Sequence, residues 1–163
     1  MNNIAHIHGE LGDLDRERRG HEEALRLARA DGNERMIART LYSLSWHAAM
    51  EGRAGDSIAM VQEALTTYRR LGEVAEVAMG LRRFAWALAV AGRGDAAARL
   101  LSRAEALREE IGASVESWAM EMDERTLATI RADLDEEMFS QAWEQGRALA
   151  IDEAVALTLE PER

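Results

Sequence analysis

Residues 41–72 read LYSLSWHAAMEGRAGDSIAMVQEALTTYRRLG. Leu41, Leu44 and Ala48 recur at i, i+3 and i+7, and the run stops at Gly52. Ile58, Val61, Ala64, Leu65 and Tyr68 then mark a second apolar stripe that stops at Gly72. Apolar residues at this spacing share one face of a helix. A glycine closes a helix C-terminus because it reaches the left-handed conformation at little steric cost. The stretch therefore predicts two amphipathic helices forming a hairpin, each ended by a glycine.

The same punctuation recurs on both sides. Gly12, Gly52 and Gly92 stand 40 residues apart, as do Gly32, Gly72 and Gly112, and Ala24, Ala64 and Ala104. Leu25 and Leu65 follow their alanines, while Glu105 breaks that column. Self-similarity at a fixed step marks a repeat architecture. Gly12, Gly52 and Gly92 are expected to end first helices, and Gly32, Gly72 and Gly112 second ones. The alanines suit close crossing of the two helices of each hairpin. The expected organisation is one domain: hairpins at about 1–32, 33–72 and 73–112, then a helical cap over 113–163. In that cap, residues about 115–134 read as one long helix, Asp135 N-caps a short helix through Trp143 that Gly146 closes, and a final helix runs from about Asp152 to Leu159.

Composition excludes whole classes of chemistry. All 20 basic residues are arginine, so no lysine is present for a Schiff base or a phosphate-binding loop. With no cysteine, thiolate nucleophiles and cysteine-type zinc sites are excluded too. Of the formal charge of −10, residues 121–163 supply −8, from twelve acids against four arginines, leaving −2 for the first 120. Such a surface gains little from a polyanion, so direct nucleic-acid binding is not expected. Charged residues break every apolar run short of the ~20 residues a membrane helix needs. The opening Met1-Asn2-Asn3-Ile4-Ala5-His6 lacks the features of a signal peptide, and a cytoplasmic protein is expected. No hydrolase elbow, zinc-protease motif, dinucleotide-binding glycine motif or strand pattern is present, so the chain reads as a non-enzyme with no cofactor.

The repeat resembles the tetratricopeptide family. Leu44-Ser45, Gly52, Ser57, Val61 and Ala64-Leu65 carry the likeness in the second unit, and Phe84-Ala85, Leu88, Gly92, Ala97, Leu101 and Ala104 in the third. Ile4-Ala5, His8, Gly12, Glu17, His21 and Ala24-Leu25 fill those positions in the first, where Glu17 replaces a small core residue. The step of 40 exceeds the ~34 residues usual in that family, which implies longer helices or inter-repeat loops. From Leu101-Ser102-Arg103-Ala104 to Ala154-Val155-Ala156-Leu157 the chain is similar to the C-terminal repeat region of multidomain bacterial regulators, among them LuxR-type activators and nucleotide cyclases. The resemblance implies an all-α, right-handed α-solenoid and a sensor or interaction arm. It carries over no ATPase, cyclase or DNA-binding activity.

In such a solenoid the first helix of each pair lines the concave side. The groove residues are then Arg39, Tyr42, Ser43, Trp46 and Met50 in the second unit, and Met79, Arg82, Arg83, Trp86 and Val90 in the third. Aromatic and guanidinium groups dominate binding hot spots and suit a peptide or small effector carrying an acidic group. Alternatively, the two tryptophans wedge between neighbouring first helices while the arginines pair with nearby acids. The first helix begins almost at Met1 with nothing covering it, so an upstream domain, a partner or a second copy is expected there, the last making a self-associating scaffold.

The remaining motifs read as structure. His6 and His8 are two apart and point to different faces of a helix, so they do not chelate together. His8 and His21 are expected to pack inside the first hairpin, and His47 to lie on the surface. Asp13-Leu14-Asp15 fails as a calcium loop because Arg18 stands where glycine is needed and Ala24 where glutamate is needed. Arg93-Gly94-Asp95 falls on a repeat turn, and Asp133, Asp135, Glu136 and Glu137 complement a helix start. No metal site is expected.

Overall fold

The computed structural model describes residues 14–114 and 117–159. Among them every element is a helix: α1 (Leu14–Ala30), α2 (Glu34–Met50), α3 (Ala54–Leu71), α4 (Val74–Val90), α5 (Gly94–Glu110), α6 (Ser117–Asp133), α7 (Glu136–Ala148) and α8 (Ile151–Leu159). The chain is all-α. None of these helices is long and apolar enough to cross a membrane. The expected first helix, with Gly12, His6 and His8, lies outside the described residues.

The glycines close the helices as expected. At the end of α2, Gly52 has φ +75°, its N–H donates to Ala49 O at 3.0 Å, and the Arg53 N–H donates to Ala48 O at 2.8 Å. This bond pair satisfies two carbonyls that a helix end otherwise leaves open, and it requires a left-handed residue that only glycine supplies cheaply. Gly32, Gly72, Gly92 and Gly112 repeat it, all at φ between 64° and 72°. Asn33 adds an N-cap to α2 by accepting from the Met36 N–H at 3.1 Å, and Asp135 caps α7 by accepting from Met138 N–H at 2.8 Å.

Consecutive helices pack against one another from α1 to α5, and α2 also touches α4, which in turn touches α6. Helix α7 packs along α5, and α8 reaches α3, α4 and α5. One apolar core runs through these layers, with Leu41, Val61, Leu65, Leu81, Leu88, Leu101 and Ile130 buried in it. Ala64 and Ala104 are fully buried. The far end is tied back through Arg69, whose Nε donates to Asp152 at 2.8 Å, and through Gln62, which donates to the Thr158 carbonyl.

Two expectations are corrected. Gly146 does not close a helix: α7 runs past it to Ala148. A Cβ at Gly146 would stand 2.6 Å from the Arg99 Cα and closer still to its carbonyl oxygen, so this glycine permits backbone contact between α7 and α5. His47 is not on the surface. Only 6% of it is exposed, because α1 lays Glu17 and His21 against that side of α2.

Another glycine makes the α2–α4 joint. Tyr42 is buried, its Oη donates to Glu76 O at 3.1 Å, and its ring lies over Gly80. A Cβ at Gly80 would stand 2.7 Å from Leu65 Cδ1 and closer to Tyr42 Oη. Alanine in a helix interior gains about 1 kcal/mol over glycine, but here it must displace a hydrogen-bonded buried ring, an overpacking cost of about 1–3 kcal/mol. Gly80→Ala should therefore lower the urea unfolding free energy by up to about 2 kcal/mol. The control Gly55→Ala, where nothing lies within 4 Å, should be neutral or stabilising.

Candidate functional site

A cavity of about 370 Å³ opens between α2 and α4, beside the end of α5 and the start of α6. Its wall contains Arg39, Tyr42 and Ser43 of α2, Glu76, Met79, Arg82 and Arg83 of α4, Arg108 of α5, and Ala119 of α6. Of the groove residues expected from the sequence, the structure brings Arg39, Tyr42, Ser43, Met79, Arg82 and Arg83 together here. Trp46, Met50, Trp86 and Val90 do not line it.

The tryptophans instead pack on each other. The Trp46 and Trp86 rings are 5.4 Å apart, tilted by 31°, and Trp86 is only 8% exposed. Residues at one level of neighbouring helices face each other, so the pair fills the α2–α4 seam as the wedge arrangement requires. Arg125 of α6 lies 6.0 Å from the Trp46 ring, within cation–π reach. Met50 stands exposed at the end of α2.

The four arginines of the cavity differ in how they are held. Arg39 is exposed on the rim. Arg82 is buried, 4% exposed, and its Nε lies 2.6 Å from Asp123 Oδ1 of α6, an ion pair by distance without hydrogen-bond alignment at that nitrogen. Arg83 donates from Nη1 to Tyr42 O at 2.7 Å and lies 5.7 Å from the Tyr42 ring. Burial pushes its guanidinium down to about 10, partly offset by the neighbouring Tyr42 and Glu76. It is still a cation at neutral pH. Arg108 donates from Nη1 to Ala113 O at 3.1 Å, which holds its guanidinium beside the cavity mouth.

The wall behind them is tyrosine. Tyr42 and Tyr68 lie 5.4 Å apart, and the Tyr68 Oη donates to Arg35 O at 3.4 Å. Burial raises the Tyr42 hydroxyl well above its ordinary range and Tyr68 to about 12, in the latter case with help from Glu76 and Glu73. Neither ionises near neutrality: Tyr42 serves as a neutral wall of the cavity, and Tyr68 packs against it outside the lining. Four arginines against Glu76 and the Asp123 carboxylate behind Arg82 leave this cavity electropositive, in a chain whose formal charge is −10.

The sequence reading missed Arg108 and Asp123. Both come from outside the two helices that the repeat pattern singles out, and no local signal marks them. No family model, curated protein or solved structure matches the chain.

Asp123 yields a direct test of this electrostatics. Burial raises its carboxyl from the ordinary 3.8, against the opposing pull of Arg82. Its folded pKa therefore exceeds its unfolded one. Its contribution to stability is fully present below the unfolded value and is lost as pH rises through the folded one. A carbon-detected NMR titration should place the Asp123 midpoint above the unfolded value, and Arg82→Gln should move it higher still. A midpoint below 3.8 would mean that the ion pair, not burial, controls this site.

Proposed function

We propose that the chain is a right-handed α-solenoid of the tetratricopeptide kind, with a step of 40, that recognises an anionic peptide segment or small anionic effector in the arginine-lined cavity. Stacking of α2 on α4 and of α4 on α6, with a left-handed glycine every 20 residues, supports the repeat reading. The observation that carries the functional reading is the local charge of the cavity, opposite in sign to the chain as a whole. Its volume falls in the range of small-ligand sites, about 300–1,000 Å³.

The role is that of an interaction or ligand-sensing arm in a bacterial signalling or transcriptional regulator, working in the cytoplasm by recognition and not by chemistry. Arg39 supplies the accessible guanidinium that meets a carboxylate bidentately, and Arg108 supplies positive charge at the mouth. An incoming carboxylate also competes with Asp123 for Arg82. Occupancy is thereby read out as a changed seat for α6.

Fluorescence anisotropy with a labelled glutamate-rich peptide tests this, with a lysine-rich peptide of equal length as control. The acidic peptide should bind more tightly. A charge-assisted hydrogen bond contributes about 1.5–3 kcal/mol, so Arg39→Ala and Arg108→Ala should each weaken it by roughly tenfold or more, with unchanged helix content by circular dichroism. Equal binding of the two peptides, or undiminished affinity in the double variant, would refute the assignment.

A further inference from the structure

Away from the cavity, at the seam of α1 and α2, three potential donors converge. Glu17 and His21 are one helical turn apart on α1 and so present their side chains on one face. His47 reaches them from α2. Glu17 Oε2 lies 3.4 Å from His47 Nε2, and Glu17 Oε1 lies 3.7 Å from His21 Nε2. The two imidazole rings have centroids 6.1 Å apart, and one ligand atom from each residue falls within 4.8 Å of the other two. His21 is fully buried, and the side chains of His47 and Glu17 are 7% and 13% exposed.

From this geometry we infer that Glu17, His21 and His47 form a binding site for a divalent transition-metal ion of the zinc class, clipping α1 to α2. Zinc binds histidine nitrogen and carboxylate oxygen at about 2.0–2.2 Å, so tetrahedral ligands lie about 3.3 Å from one another. One carboxylate oxygen lies 3.4 Å from His47 and the other 3.7 Å from His21, so whichever oxygen ligates, one glutamate–histidine separation is already within a few tenths of an ångström of that spacing. Small side-chain rotations bring the histidine nitrogens into it. Two imidazoles and one carboxylate suit zinc, with a water or one further group completing the tetrahedron, and imidazole disfavours the hard ions calcium and magnesium. Two arginines act on His47: Arg18 is held by Glu22 at 2.7 Å and Glu51 at 3.5 Å, and Arg83 by the Tyr42 carbonyl at 2.7 Å, which limits their repulsion of a bound ion. The site also accounts for Glu17, an acid at a position where the repeat pattern otherwise carries a small core residue.

The test uses the full chain, stripped of metal by chelator and titrated with zinc chloride in a calorimeter. One equivalent should bind per chain, and cobalt(II) in its place should give the visible absorption of a tetrahedral nitrogen–oxygen site. Glu17→Gln and His47→Gln keep the packing volume and remove one ligand each. Each should weaken zinc binding by more than the 10–100-fold that loss of an outer-sphere partner costs. Should either variant fail to fold, imidazole nitrogen spectra of the unaltered chain decide the matter: zinc must shift both His21 and His47. No saturable binding, binding that survives both substitutions, or zinc that leaves either histidine unshifted would overturn the site.

Discussion

A helix ends well only where its last carbonyls find donors, and in this chain that requirement is met by the same backbone conformation at Gly32, Gly52, Gly72, Gly92 and Gly112. The interval is always 20 residues, so each of α1 to α5 is held to 17 or 18 residues. Equal lengths keep neighbouring helices level with each other. A side chain on α2 then faces the residue 40 positions on in α4, as Trp46 faces Trp86. The packing, the cavity and the aromatic seam all depend on this shared level.

Level helices still need a joint, and Tyr42 supplies it from both ends. Its hydroxyl donates to Glu76 O on α4, while its own carbonyl accepts from Arg83 of α4 and from Ser45 Oγ on α2. The Ser45 carbonyl in turn accepts from buried Ser57 Oγ at 2.8 Å, which brings α3 into the same network. Three helices thus share a chain of hydrogen-bonded polar groups inside an otherwise apolar core. Such networks stabilise only when every member is paired, and they specify one register between the helices. Gly80 is the steric condition for this arrangement, since any larger residue would fill the space the tyrosine occupies.

What the sequence could reveal follows from the range of each determinant. A glycine closure is decided within four or five residues, so the ends of α1 to α5 are legible, as are α6 and α8 to within a few residues. Gly146 misleads because glycine serves two purposes, a left-handed turn and a close backbone approach, and only the position of Arg99 distinguishes them. His47 misleads for a similar reason: a polar residue beside Leu44 and Ala48 reads as a helix margin until α1 covers it. In the cavity, Arg39, Tyr42, Ser43, Met79, Arg82 and Arg83 are legible because they follow from the repeat positions, whereas Trp46 and Trp86 point into the seam. Asp123 and Arg108 are not legible, since their place depends on how the last helices fold back.

The absence of lysine bears on how this core tolerates charge. Arg82, Arg103 and much of Arg83 are withdrawn from water, yet each is met by an acceptor: Asp123, Glu110 and the Tyr42 carbonyl. A guanidinium can do this because its planar fork offers five donors in fixed directions and is more weakly hydrated than an ammonium. It can therefore span from one helix to a carbonyl or carboxylate on the next without the full desolvation cost of a point charge. Removing one partner of such a pair leaves the other buried and uncompensated, which costs far more than the intact pair contributes. The Arg82–Asp123 contact is consequently more than an ornament of the cavity wall. It ties the cavity wall on α4 to α6, so the seat of the first C-terminal helix depends on this one pair.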